Sequence, residues 1–386
     1  MAGNNRLYYA IKQIGIKPDA DAGDYDIVFG AQDISVSTNF NLTQIFEIGQ
    51  LEIYQSLEEL PDVEITVNKI FDGKPLIWHI ATQNASAGPT LANRSNEQCI
   101  AALSLFPDTN DSATGTPIAI MESSGLFPRT LNYNFGVDGA FTESVTFVGN
   151  DKIYSNDNRI LNTAAAGRAA SLSFDGGFTN NNDTPSGIER REGLLFTPVD
   201  GAGGTDANGV VRDSDVTVLP QEIDGISSSG TNDQVLGDFN AHIQSISIST
   251  DLGRESLNEL GRRGPYHRFA TFPTEVTCSI EAIATSGDNV SATEEGIYTT
   301  GTDCATAASN LQDRTIRLAT CGGVRIYLGT KNRLNSVDFG GGTTDGGNDT
   351  NTYNFTNFNS LTVMAEYDPN PNAATWWASR DTYLLD

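Results

Sequence analysis

Three kinds of side chain in this sequence invite a search for chemistry: histidines, cysteines and clustered carboxylates. The three histidines, His79, His242 and His267, have no HxH or HExxH partner, so structural roles are expected of them. Cys99, Cys278, Cys304 and Cys321 show no CxxC or Cys/His ligand spacing, which leaves neither a zinc knuckle nor a redox pair. Buried, reduced thiols are the expectation, and Cys278 lies on the apolar phase of EVTCSIEAI. No GxSxG elbow and no GxxxxGK[ST] phosphate loop is present. With 49 Asp and Glu, some carboxylates must lie close together, so spacing alone cannot nominate a hydrolytic dyad. The runs DGAGGTDANG and DFGGGTTDGGND are rich in oxygen ligands, but they lack the 12-residue loop with a terminal Glu and read as surface turns. The expectation is no catalytic residue, no cofactor and no metal.

Two aromatic residues stand apart. Trp376 and Trp377 lie in NAATWWASRDTYLLD, where adjacent indoles can form a sugar-stacking platform or tie a terminal segment onto a neighbouring subunit. Tethering is the expected role, because aromatic side chains near a loose terminus usually dock it.

The elements that position these residues follow from composition and period. The 386 residues carry 23 Lys and Arg against 49 Asp and Glu, a formal charge of −26. That balance disfavours a free nucleic-acid-binding role and close approach to anionic lipid, both of which rely on clustered cations. Charged residues are 19% and hydrophobic residues 38% of the chain, and 38 glycines accompany abundant Asn, Ser and Thr. Such a composition favours strands joined by long turns, so a mainly β fold is expected. No apolar run reaches the ~18 residues of a membrane span, and the start MAGNNRLYYAIKQIGIK lacks the sections of a signal peptide. Synthesis in a cytoplasm is the expectation.

The chain repeats itself. DISVSTNFNLTQIFEIGQLEIY, from Asp33, is answered by SISISTDLGRESLNELGRRGPY, from Ser245, at a constant offset of 212. Identical pairs include Ile34/Ile246, Ser35/Ser247, Thr38/Thr250, Gly49/Gly261 and Tyr54/Tyr266, and one inserted residue then aligns DVEITVN with EVTCSIE. Each copy reads as strand, a bridge of about two dozen residues, and strand again. Later, SNEQCIAALSLF carries a capping-box pattern at Ser95 and Gln98 ahead of an expected short helix, matched by TDCATAASNLQ with Asp303 as a cap. LNYNFGVDGAFTESVTFVGND (131–151) then resembles the segment from Leu334 to Asp368, interrupted by a Gly/Asp-rich stretch. The expected layout is a first domain at 1–154, a Gly/Asn/Asp/Ser-rich insert or linker at 155–235, and a second domain at 236–386. Within the insert, EGLLFTPV and DVTVLPQEIDGI are candidates for edge strands.

Taken in order, strand, long bridge (FEIGQLEIYQSLEELP or LNELGRRGPYHRFATFP), strand, short helix and the late FTESVTFVGND strand resemble the tail tube protein of long-tailed bacteriophages. Phe141–Asp151 is similar to an outward-facing hairpin of that family. The resemblance covers both copies and implies two β-sandwich or half-barrel domains, each with a short α-helix, closing a β-barrel channel on oligomerisation. It also implies a virion tail location, rings stacked axially into a conduit for genome passage, and contacts with sheath, tail terminator and distal tail or baseplate proteins. DNA passes through such a lumen without specific binding. Single-domain subunits of that family form hexameric rings, so two fused copies imply a homotrimer with pseudo-sixfold symmetry. A carbohydrate- or receptor-binding β-rich module is the alternative.

The two bridges differ in charge. The first, Asn39–Pro61, carries Glu47, Glu52, Glu58 and Glu59 and no cation, whereas the second carries Arg254, Arg262, Arg263 and Arg268 against Asp251, Glu255 and Glu259. Unlike loops meeting between rings would fix rotational register; the other reading is a set of solvated loop charges.

Overall fold

The computed structural model describes residues 6–19, 25–109, 111–113, 117–155, 174–175, 194–195, 242–261, 264–283, 316–320, 323–340 and 349–379. Among the described residues it is mainly β, with a few short helices and no closed barrel within one chain. In chain order the strands are β1 (Lys12–Pro18), β2 (Tyr25–Ile27), β3 (Ala31–Asn39), β4 (Leu42–Phe46), β5 (Ile53–Glu58), β6 (Asp62–Ile70), β7 (Cys99–Leu105), β8 (Ala119–Gly136), β9 (Thr142–Gly149), β10 (Ile153–Ser155), β11 (Phe174–Asp175) and β12 (Leu194–Leu195). They continue with β13 (His242–Asp251), β14 (Arg254–Leu257), β15 (His267–Ala270), β16 (Glu275–Ile283), β17 (Arg317–Thr320), β18 (Val324–Tyr327), β19 (Arg333–Gly340), β20 (Thr350–Phe358) and β21 (Thr362–Ala365). The helices are α1 (Ile77–Ala81), α2 (Leu91–Arg94) and α3 (Ala373–Ala378).

Period-two alternation builds the main sheet. In β6 Val63, Ile65 and Val67 point inward and are buried, while Asp62 and Glu64 point outward; β16 repeats this with Val276, Cys278 and Ile280. Burying such side chains contributes about 1.5–3 kcal/mol each, which fixes the register because a one-residue slip would expose them all. In the first half β3 pairs β6, β6 pairs β9 and β9 pairs β8, all antiparallel. The second half has the same order, with β13 on β16, β16 on β20 and β20 on β19. Even the bulges recur. Gln32 and Gln244 are each skipped in the pairing of a first strand, and Arg129 and Asn335 in that of a third.

The 18-residue strand β8 couples two layers. Its later part lies in the main sheet, while its earlier part pairs β7 and β10 in a second layer that continues through β1, β2 and β11. The second half has its own layer, ordered β12-β17-β18-β21. Leu194–Leu195, from the run EGLLFTPV, thus serves as an edge strand on β17; DVTVLPQEIDGI lies outside the described residues.

Two local expectations are corrected. The apolar run after Ser95 is not a helix: Cys99–Leu105 is β7, held between β1 and β8, and the short helices α1 and α2 precede it. Ladder partners on both sides outweigh the helix preference of Ala and Leu, a common tertiary override of propensity. The Phe141–Asp151 segment is not an outward hairpin either, because β9 is an inner strand and Phe141 is buried. The helix expected around Asp303 lies outside the described residues.

The halves are locked together beneath the sheet. Arg94, buried in α2, pairs with the buried Asp368, and Asn370 donates to the carbonyls of Gln83 and Ala85 at 2.6 and 2.7 Å. Trp376, on α3, is buried and lies over the Arg94 guanidinium at 5.2 Å, while Arg325 lies over Trp377 at 5.4 Å. The indole pair therefore packs within its own chain and presents no open two-ring platform.

Candidate assembly interfaces

The two halves join edge to edge. Strand β8, last in the first half's order, pairs antiparallel with β13, first in the second, from Ser245↔Gly136 to Asp251↔Thr130. The result is one eight-stranded run, β3-β6-β9-β8-β13-β16-β20-β19. Among the described residues its two outer strands, β3 and β19, each have one strand neighbour. Those edges are the counterparts of the two strands already joined in the middle, since β3 matches β13 and β19 matches β8. Unpaired edges of this length are normally blunted or used for association.

The outward face of this run is mostly polar, with apolar exceptions such as Ile70 and Phe358. Asp33, Asn68, Ser144, Asn132, Ser249, Thr277 and Thr356 are successive cross-strand partners, and Thr142, Asn134, Ser247, Ser279, Asn354 and Ser336 form the next row. Hydroxyls bond one another across it, Thr66 with Thr146 at 3.1 Å and Ser249 with Thr277 at 2.6 Å. Asp33, Glu64, Glu275, Glu281 and Asp338 add negative charge. The eight strands hold three cationic residues: Lys69 is buried on Phe29 O and Asp72, Arg129 sits at a bulge 3.8 Å from Asp251, and Arg333 begins the outer strand. Such a face presents negative charge and short hydrogen-bonding groups and lacks a cationic track.

The bridges prove to be hairpins in matching register, β4 with β5 and β14 with β15. Each leaves its sheet through a left-handed residue, Asn41 (φ 43) in the first and Gly253 (φ 47) in the second, the conformation that Gly and Asn tolerate best. Gly49 and Gly261 hold positive φ at the equivalent tip positions. Their surroundings differ. Hairpin β4–β5 exposes Phe40, Leu42, Phe46, Tyr54 and Leu57, and Ile48 and Leu51 at its tip are fully exposed. Apolar exposure on this scale marks a protein–protein surface. Glu47, Glu52, Glu58 and Glu59 lie on this same exposed hairpin.

Hairpin β14–β15 is folded against the first half. Arg254 donates through Nε to Pro128 O at 2.8 Å and through Nη2 to Ser95 O at 2.5 Å, and its guanidinium lies over Phe127. Burial lowers its pKa to about 10, so it stays charged at neutral pH. Arg268 reaches Asp62 Oδ1 and Asn150 Oδ1, both at 2.8 Å, and His267 packs edge-on to Phe127. Arg254 and Arg268 are thus engaged within the chain, while Arg262 and Arg263 lie outside the described residues. Arg254→Ala should cost about 2 kcal/mol through the carbonyls it orphans, and should release the hairpin. Denaturant unfolding and limited proteolysis between 257 and 267 would register both; an unchanged midpoint and cleavage pattern would refute the latch.

Sequence reasoning missed a buried carboxylate. Glu143 accepts from the backbone N–H of Ile77 at 2.6 Å and of Trp78 at 3.2 Å, and from the Tyr133 hydroxyl at 3.3 Å, so it satisfies the start of α1 from across the core. Its side chain shares the inward phase of Phe141, Val145 and Phe147 in FTESVTFV, which is the signal that could have found it. Burial raises its pKa to about 7 against the lowering effect of those hydrogen bonds. The Cys278 thiol is pushed up to about 12 and that of Cys99 higher, both by burial, as expected of inert core cysteines; Cys304 and Cys321 lie outside the described residues. His79 is buried with Nε2 3.1 Å from Val363 O. Among the described residues no group of three or more His, Cys, Asp or Glu side chains could hold a metal ion.

No family model and no curated protein matches this chain. Among solved structures it is similar to a chain of the baseplate of the anti-feeding prophage, at 11% identity over 40% of this chain and 97% of that one, with a TM-score of 0.31. It is similar to a chain of the sheath–tube complex of an extracellular contractile injection system, PVC, at 12% identity over 40% and 95%, with a TM-score of 0.30. A chain of the virion of a native gene transfer agent particle gives 11% identity over 31% and 81%, with a TM-score of 0.19.

Proposed function

We propose that this chain is a structural tail component, a tube subunit whose trimeric rings stack into a hollow conduit for genome passage. The observation that carries the reading is the β8–β13 junction. A surface that already joins the halves inside one chain is offered again at its two free edges, so β19 of one chain can pair with β3 of the next by the same geometry. A repeated head-to-tail contact closes into a ring when its rotation allows, and closure removes both exposed edges. The sequence resemblance to tail tube proteins points the same way.

Three chains supply three eight-stranded walls. At ~4.8 Å per strand such a barrel has a backbone diameter of at least about 37 Å, and strand tilt widens it. Two chains give at least about 24 Å on the same spacing, which inward side chains narrow to near the width of a DNA duplex. The polar, acidic sheet face lines the bore and lets DNA slide without specific binding. Ring-on-ring stacking falls to the distal part of hairpin β4–β5, where Glu47 and Glu52 accompany Ile48 and Leu51, against Arg262 and Arg263 of the second bridge. Sheath, terminator and baseplate proteins are the further partners that this reading implies. No catalytic step is assigned.

Negative-stain electron microscopy tests this directly. Hollow tubes of threefold rings with a sixfold-like outline are expected. Closed rings that do not stack would indicate a terminal or distal tail ring, and dispersed monomers without an axial hole would overturn the reading.

A further inference from the structure

The two hairpins occupy matching places in a repeated architecture, yet among the described residues only the second rests on another part of the chain. We propose that hairpin β4–β5 folds laterally onto the neighbouring chain of the ring, in the place β14–β15 takes on its own first half, setting Leu42 and its cross-strand partner Glu58 at Arg333 and Ser56 at Phe358. This rests on the β19–β3 seam described above.

Transposing the observed contacts gives the residues. At the 212-residue offset Leu42 stands where Arg254 stands, Ser56 where Arg268 stands, and Glu58, the cross-strand partner of Leu42, where Ala270 stands. On the receiving side the matched pairings β9–β8 with β20–β19, and β6–β9 with β16–β20, put Arg333 in place of Phe127, Leu334 in place of Pro128, Glu275 in place of Asp62 and Phe358 in place of Asn150. The cation has therefore changed sides. Inside the chain the hairpin brings arginine to an aromatic ring; between chains the receiving strand holds arginine and the hairpin brings leucine and glutamate. Arg268 bonds Asn150 within the chain, so its counterpart Ser56 comes to Phe358, while Leu42, in the place of Arg254, comes to Arg333 and Leu334; Leu42 and Phe358 are both more than half exposed in the single chain, and docking the hairpin covers apolar surface that now faces water.

This exchange makes the two junctions non-interchangeable. Hairpin β14–β15 placed on the outer seam would set Arg254 on Arg333, like charge on like. Hairpin β4–β5 placed on the inner seam would leave Asp62 and Asn150 facing Ser56 without the arginine they now bind. Each hairpin thus recognises one seam, which fixes the order of first and second halves around the ring.

The test uses Glu58→Arg, Arg333→Glu and the double variant in the full chain, measuring ring dissociation by sedimentation and tube growth by electron microscopy. Each single reversal should weaken rings about tenfold and the double should recover to within about threefold, as expected of a complementary interfacial pair. Unchanged ring stability in both singles overturns the lateral docking. Intact rings that no longer stack also overturn it, in favour of an axial role for the hairpin base. A cysteine pair at Ser37 and Asp338 separates the two levels: if it cross-links in every variant, the seam stands whatever the hairpin does, and if it fails in the parent chain, the seam reading itself has failed.

Discussion

Cysteines placed at Ser37 and Asp338 will join neighbouring chains on mild oxidation, giving a denaturing-gel ladder that ends at three. The register comes from the inner junction. Asn132 faces Ser249 across β8 and β13; the matched hairpins place Asp338 at the position of Asn132, and the repeat places Ser37 at that of Ser249. Directly opposed strand residues hold their Cβ atoms ~4.5–5.5 Å apart, close enough for a modest adjustment to form the bond. Within one chain the two positions lie on opposite edges of eight strands, seven spacings or about 34 Å apart, so any disulfide must be intermolecular. A control pair one residue out of register, Thr38 with Asp338, should cross-link far less, because its side chains leave opposite faces. Replacing Cys304 and Cys321 with serine removes competing thiols. A monomer that never cross-links would refute the seam, and a ladder running past three would refute the trimer.

Replacing Glu143 with alanine should cost about 4 kcal/mol, since the Ile77 and Trp78 N–H groups and the Tyr133 hydroxyl each lose a buried acceptor at about 1–3 kcal/mol. In a domain of this size that lowers the melting midpoint by roughly 8–16 °C. A loss below about 1 kcal/mol would show that α1 satisfies its start in another way. The same residue sets a pH dependence. Its folded pKa of about 7 lies above the ordinary 4.5, so folding takes up a proton. The stabilisation is complete below about pH 4.5 and is lost as the pH rises through about 7. When the carboxyl is protonated, the Tyr133 hydroxyl can turn to accept its proton. Glu143→Gln cannot titrate, so the stability of the parent relative to this variant should fall by about 3 kcal/mol between pH 4.5 and 7.5. A constant difference across that range would mean that Glu143 keeps an ordinary pKa.

Much of the fold was legible before any coordinates. Alternation in DVEITVN and EVTCSIE gives β6 and β16, the 212-residue repeat gives two matching bridges, which fold as hairpins entered through left-handed residues at 41 and 253, and turn-rich loops separate β8 from β9 and β19 from β20. The capping-box pattern at Ser95 and Gln98 points to a helix where Cys99–Leu105 is a strand, because its two ladder partners come from segments that no local window contains. Arg254 and Arg268 read as loop charges that meet a neighbouring ring or solvent, and their partners within the chain are not visible locally, since Pro128, Asp62 and Asn150 lie more than 100 residues away along it.

By itself the sequence determined the period-two strands, the repeat, the acidic balance and the polar face of strands such as β6 and β16, because each of these is a property of neighbouring residues or of composition. Only the tertiary structure decided that β8 pairs with β13, and with it that eight short strands become one run whose outer strands are β3 and β19. That pairing depends on backbone groups that every residue carries alike. Side-chain pattern says which face of a strand is buried, but it does not say which strand lies beside it, so the seam became visible only once the chain had folded.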